Sequence, residues 1–176
     1  FEERYRGSRA DIMQRLRAYE PFVQPYTLNE NQAPRALDIG CGRGEWLELL
    51  RSQGFEVQGI DLDAGMLAAC HERNLPAIQG DGLAYVAAQA ENSWSLLSAF
   101  HVVEHIPFEA VIQLAQDALR VLEPGGLILF ETPNPDNLLV ASRDFYLDPS
   151  HQKPIPANLL AFVLEYVCFE RVKVVC

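Results

Sequence analysis

The sequence predicts an α/β fold of the doubly wound class, built on a mostly parallel sheet. Three observations predict it. From residue 35 onward, short apolar runs of strand length alternate with longer amphipathic stretches of helix length. A glycine-rich turn follows the first of those runs at once, in Gly40-Cys41-Gly42-Arg43-Gly44. Acidic residues then close the second and third runs, at Asp61 and Asp81. Parallel strands need crossover connections, which are right-handed, and ligands in such sheets bind at the carboxyl ends of the strands.

The elements follow in order. Residues 8–20 place Ile12, Leu16 and Tyr19 at helical spacing behind Ser8, a capping residue type. A polar loop with Pro25, Asn29, Asn31 and Pro34 separates this helix from the first strand, residues 35–39. Helix 44–53 leads to strand 56–60, helix 64–73 to a short strand at 76–79, and a brief helix follows Gly82. Residues 93–100 read as the fourth strand and Phe108 to Leu122 as a strong amphipathic helix. Pro124-Gly125-Gly126 stops that helix before a fifth strand at 127–132. A helix at 157–167 and a strand at 171–175 complete the pattern.

A chain of 176 residues is one domain by length, and 49% hydrophobic with 22% charged residues is ordinary for a globular protein. The net charge of −10 disfavours a nucleic-acid partner, because an acidic surface repels phosphate. No apolar run approaches the roughly 20 residues of a membrane span. Cys41, Cys70, Cys168 and Cys176 show no paired spacing, so neither a metal site nor a disulfide framework follows, and a reducing, cytoplasmic setting fits. Arginines 4, 6, 9, 15 and 17 crowd the first segment of a chain with two lysines. They are either a solvated helix face or an arm that grips a carboxylate or phosphate.

The chemistry gathers at the strand ends. A dinucleotide fold would carry G-x-G-x-x-G there, with a pyrophosphate on the helix N-terminus. This chain has G-x-G-x-G, with Asp38 two residues before Gly40. That acid repels a pyrophosphate and suits a ligand bearing an ammonium group. Asp61, after the second strand, can accept hydrogen bonds from ribose hydroxyls, and Asp81, between Gly80 and Gly82, can take an adenine amino group. Each acid alone is equally a helix cap. Their succession at consecutive strand ends is the stronger signal.

The order A-L-D-I-G-C-G-R-G, G-I-D-L-D, G-D-G-L, F-H-V-V-E-H-I-P and L-E-P-G-G-L-I-L-F-E-T-P resembles the class I S-adenosylmethionine-dependent methyltransferases, over about residues 35–135. Within them, R-Y-R-G-S and F-Y-L-D-P-S-H are similar to bacterial methyltransferases of lipopolysaccharide O-antigen and other surface-glycan synthesis. The resemblance implies the Rossmann-like fold of that class and S-adenosylmethionine as cofactor, with S-adenosylhomocysteine as product. It places Gly40, Cys41 and Gly42 along the methionine moiety, Asp38 facing the ammonium, and Asp61 on the ribose, with Leu62 flanking the ring. Asp81, Gly82 and Leu83 would hold the adenine end, and His101 would face the sulfonium.

The segment after the fourth strand lacks the N/D-P-P-Y/F motif of many amine methylators, which points to an oxygen acceptor on a small molecule or glycan. His105 and Glu104 are the base candidates for a hydroxyl, and equally a cap for the helix beginning at Pro107. His151, in Asp148-Pro149-Ser150-His151, is a second candidate, whereas His71 reads as an exposed helix residue. No metal is expected. Residues 1–33 are read as a helical arm or lid, with Arg6 and Arg15 pairing with the cofactor carboxylate, and residues 34–176 as the methyltransferase domain. Complete members of the class end in an antiparallel strand that is missing here, so a longer polypeptide with further domains is expected. The rival readings are a nicotinamide oxidoreductase, disfavoured by the glycine spacing, and a non-catalytic methyltransferase-like module that regulates a partner enzyme.

Overall fold

Side chains along the first strand, β1 (Arg35–Ile39), alternate between two cores. Ala36 faces one hydrophobic cluster, while Leu37 and Ile39 face another. Both faces are therefore covered, which is what a parallel sheet needs. The structure, a computed structural model, describes residues 7–28 and 32–175. Among these, β1 is joined by β2 (Glu56–Asp61), β3 (Ala77–Gln79), β4 (Trp94–Phe100) and β5 (Leu122–Glu131) in one sheet of order β3-β2-β1-β4-β5. Every pairing is parallel. The chain winds outward in one direction to β3 and then returns past β1, so the order reverses between β1 and β4.

On one face lie α1 (Arg9–Leu16), α2 (Glu20–Val23), α3 (Glu45–Ser52) and α4 (Ala64–Glu72). On the other lie α5 (Gly82–Ala87) and α6 (Phe108–Val121), with α8 (Ala157–Tyr166) packed against α6. Leu47 and Leu50 of α3 are fully buried, each contributing roughly 1.5–3 kcal/mol of apolar transfer energy. Ser8 caps α1, and a reciprocal bond from its backbone N–H to Asp11 completes a capping box. No helix of the described residues is long and apolar enough to cross a membrane.

Three elements differ from the sequence reading. Helical turns continue beyond residue 20, through α2 and a 3-10 turn at Gln24–Leu28, where a loop was expected. Pro21 and Pro25 stand near the starts of those turns, where a missing N–H costs nothing. The fifth strand starts at Leu122, directly after α6. A register shift carries the pairing from Trp94–Leu122 to Leu96–Leu127, so Pro124-Gly125-Gly126 forms a bulge inside the strand rather than a loop before it. Residues 171–175 form no strand. Their β-branched composition suits one, but a strand exists only through a ladder, and none reaches them among the described residues. The short helix α7 (Leu138–Ser142) and the 3-10 turn Asp144–Leu147 had no clear periodic signal; burial of Phe145 anchors them.

Candidate active site

At the carboxyl ends of the strands lies a cavity of about 1090 Å3, at the point where strand order reverses. Asp38, Gly40, Asp61, Asp81, His101 and His151 are among its walls. Gly40 has φ +68, and a Cβ there would stand 2.6 Å from Cγ2 of Val102. The backbone of the turn is thus pressed against Val102, just after β4, and only glycine permits it.

Asp38 is 3% exposed and accepts a hydrogen bond from the Ser98 hydroxyl at 2.6 Å. Trp46 Nε1–H donates in turn to Ser98 Oγ at 3.0 Å. Burial pushes the Asp38 carboxyl up to about 7, against the lowering effect of Ser98 and with a further push from Asp61. A buried acid poised near neutrality, with one oxygen bonded, is a receptor for a cation entering the cavity. Asp61 Oδ2 accepts the Gly42 N–H at 2.7 Å and Oδ1 the Asp63 N–H at 2.8 Å. This ties β2 to the glycine turn and uses one lone pair of each oxygen, leaving one on each for a diol. Leu62 is 73% exposed beside it. Asp81 caps α5, its Oδ1 accepting from Leu83 and Ala84 N–H. The cap reading therefore holds for one oxygen of Asp81. Gly82 answers to packing: a Cβ there would stand 2.3 Å from Cγ2 of Ile39.

At the end of β4, His101 sits at φ +56. Its Nδ1 lies 3.2 Å from Glu104 Oε1 and its Nε2 2.9 Å from Glu131 Oε1. Desolvation works against the imidazolium, but the two carboxylates outweigh it and raise the ring to about 9. His101 is thus a cation at neutral pH, clamped from both sides. Glu131 also accepts from the Tyr19 hydroxyl, and the Tyr19 ring stacks on Phe100 with centroids 4.9 Å apart. The segment after α1 is thereby fastened to the cavity wall.

The three candidate catalytic residues converge. Glu104, His105 and His151 each bring one ligand-type atom within 4.8 Å of the others. Glu104 is fully buried, its second oxygen accepting from Thr132 Oγ1 at 3.0 Å. His105 Nδ1 lies 3.0 Å from Ser150 Oγ, and the two imidazole rings meet edge to face at 4.7 Å.

A family model described as a methyltransferase domain matches residues 8–160. The crystal structure of a SAM-dependent methyltransferase from Archaeoglobus fulgidus is 35% identical and superposes with a TM-score of 0.87, over 98% of this chain and 74% of that one. A probable S-adenosylmethionine-dependent methyltransferase of Mycolicibacterium smegmatis is 31% identical over 134 residues, 76% of this chain and 51% of the relative. A ubiquinone biosynthesis O-methyltransferase of Burkholderia vietnamiensis is 33% identical over 57% of this chain and 44% of its own length. The chain belongs to the S-adenosylmethionine-dependent methyltransferases. It spans about half the length of these curated relatives.

The cofactor of this methyltransferase family fits the cavity. The buried Asp38 carboxylate suits its ammonium, the glycine turn lets the methionine moiety pass, and Asp61 keeps free lone pairs for the ribose. Of the predicted arginines, Arg15 lines the cavity, whereas Arg6 lies outside the described residues. Arg9 donates to the Arg43 carbonyl at 3.0 Å and pairs with Glu45 and Glu48 of α3, and Arg17 pairs with Glu20. His71 is exposed on α4, with Nε2 3.1 Å from the Ala77 carbonyl oxygen. Trp46 and Ser98 were missed by sequence reasoning. A serine in the middle of an apolar strand was the available signal, since a buried hydroxyl needs a partner.

Proposed function

We propose that the domain binds S-adenosylmethionine across the ends of β1, β2 and β3 and transfers its methyl group to an acceptor oxygen. The acceptor is a small molecule or glycan used in cell-surface polysaccharide synthesis. The observation that carries the oxygen acceptor is the convergence of Glu104, His105 and His151 on one cavity wall. A hydroxyl is a poor nucleophile until its proton leaves, whereas a phosphate or carboxylate needs no such help. The names of curated relatives such as the Burkholderia O-methyltransferase support oxygen. The glycan rests on the similarity of the segments at residues 4–8 and 145–151 to surface-glycan methyltransferases.

The cofactor, when bound, supplies a methyl carbon already activated by its sulfonium. The chain's own residues do the rest. Asp38 orients the amino end and Asp61 the ribose, while the cluster holds the acceptor oxygen in line and favours its deprotonated form. Residues 1–33 act as a lid, with Arg15 pairing with the cofactor carboxylate.

A methyl-transfer assay against sugars, their phosphates and small alcohols tests the reading. Removing the imidazoles with His105→Ala and His151→Ala should lower kcat about 10²–10⁴-fold for a hydroxyl acceptor while cofactor affinity stays within about twofold. Unchanged kcat in the double variant would show that the cluster has no part in the reaction.

A further inference from the structure

The hydrogen bonds around the two histidines assign their tautomers. His151 Nδ1 stands 2.6 Å from the Phe145 carbonyl oxygen, which only accepts, so Nδ1 carries the hydrogen. The Ser150 hydroxyl gives its single proton to Asp148 Oδ1, so toward His105 Nδ1 its oxygen is the acceptor. His105 is therefore also protonated on Nδ1. In the neutral form of each ring, Nε2 is then the nitrogen with a lone pair to offer. Near them lies the Glu104 carboxylate, held by His101 on Oε1 and Thr132 on Oε2, with one lone pair remaining on each oxygen.

We propose that Glu104, His105 and His151 hold a divalent transition-metal cation of the zinc or cobalt type at the acceptor end of the cavity. Two neutral imidazoles and one carboxylate form a donor set that such ions favour, and it leaves coordination positions open. Each imidazole is oriented through its other nitrogen, by a carbonyl in one case and a serine backed by a carboxylate in the other, as metal-bound histidines are. Ligand atoms around a tetrahedral ion stand roughly 3.3 Å apart. The donor atoms stand within 4.8 Å of one another, so reaching that spacing needs only small adjustments of His105, on a 3-10 turn, and His151, on a loop.

The surrounding charge agrees. Three carboxylates, Glu104, Glu131 and Asp148, stand in or around the cluster. His105 and His151 both line the cavity, so the open positions face an incoming acceptor. A hydroxyl coordinated there would lose its proton to water near neutral pH, its electron pair staying on the bound oxygen. That role rests on the methyl-transfer reading; the site itself does not.

The test is titration of the chelator-treated full chain with Co2+ and with Zn2+, in the absence of cofactor and acceptor. One equivalent of Co2+ should bind with visible ligand-field bands of low-coordinate cobalt, and Zn2+ should displace it. His105→Ala and His151→Ala should each weaken binding at least about tenfold, and Ser150→Ala, an exposed residue outside the donor set, about tenfold. Retained S-adenosylhomocysteine binding serves as the control for folding. Absent cobalt bands in the wild-type chain, or equal affinity in the double histidine variant, would overturn the proposal. Methyl transfer at full rate by metal-free chain would overturn the role given to the metal in the reaction, while leaving the proposed function standing. Cobalt binding by a chain that transfers no methyl group would support the site and end the functional reading.

Discussion

In the function proposed above, Asp38 is the side chain that meets the cofactor's ammonium group. Its carboxyl is pushed up to about 7, because burial penalises the anion. An ammonium group in the cavity needs that anion. Below pH 7, binding must therefore expel one proton, and affinity for S-adenosylhomocysteine should rise up to about tenfold per pH unit from pH 5.5 to 7. It should level off there and fall above about pH 9, where the ligand's α-amino group, held charged by its own carboxylate beyond the range of a peptide N-terminus, loses its proton. Calorimetry across this range checks it, and Asp38→Asn should abolish the rising limb. The same group sets a slope in stability. Its folded value lies above the ordinary 3.8, so its contribution is full below that value and is lost as pH rises through 7. Asp61 acts differently, as the tie that holds the glycine turn to β2.

At the scale of elements, the helices around the cavity are placed by contacts that tolerate little change. The N-terminus of α5 lies against β1 because residue 82 has no side chain. Gly82→Ala would put a Cβ 2.3 Å from the Ile39 methyl, inside a buried contact. Thermal or denaturant unfolding should show a loss of about 1–3 kcal/mol, the usual range for overpacking. Ile39→Ala in the same chain removes the opposing methyl and should recover part of that loss relative to the two single effects added together. Simple additivity would mean that the helix moves away freely. The strand elements carry another lesson. Residues 122–131 and 171–175 both have strand composition, yet only the first has a neighbour, β4, to pair with.

At the scale of the whole molecule, the arm before β1 is joined to the site. Leu16 and Val23 are buried in the core on the α3 face, Tyr19 reaches Glu131, and Arg9 binds the turn at Arg43. This placement brings Arg15 to the cavity while leaving Arg17 in a surface pair with Glu20. If the arm acts as a lid, Arg15→Ala should raise the dissociation constant for S-adenosylhomocysteine about tenfold, the scale of one charge-assisted contact. Arg17→Ala should leave it within about twofold, surface pairs being weak. Equal effects of the two substitutions would reduce the cluster to general surface charge.

The sequence by itself determined the sheet class, the identity of β1 to β4 and the glycine and acid motifs at the strand ends, because period, glycine placement and strand-end acids are local properties. Asp38, Gly40, Asp61 and Asp81 follow one another along the chain at the ends of consecutive strands, and parallel winding alone brings those ends together. Tertiary structure decided what depends on distant partners. The pairing of His105 with His151 spans 46 residues, and the contact of Tyr19 with Glu131 spans 112. The same holds for the tautomers of both imidazoles, the charge on His101 and the Trp46–Ser98–Asp38 chain. Hydrogen bonds and desolvation act between atoms that are neighbours only after folding. Local pattern therefore names the side chains that gather at the cavity, and packing assigns each its partner.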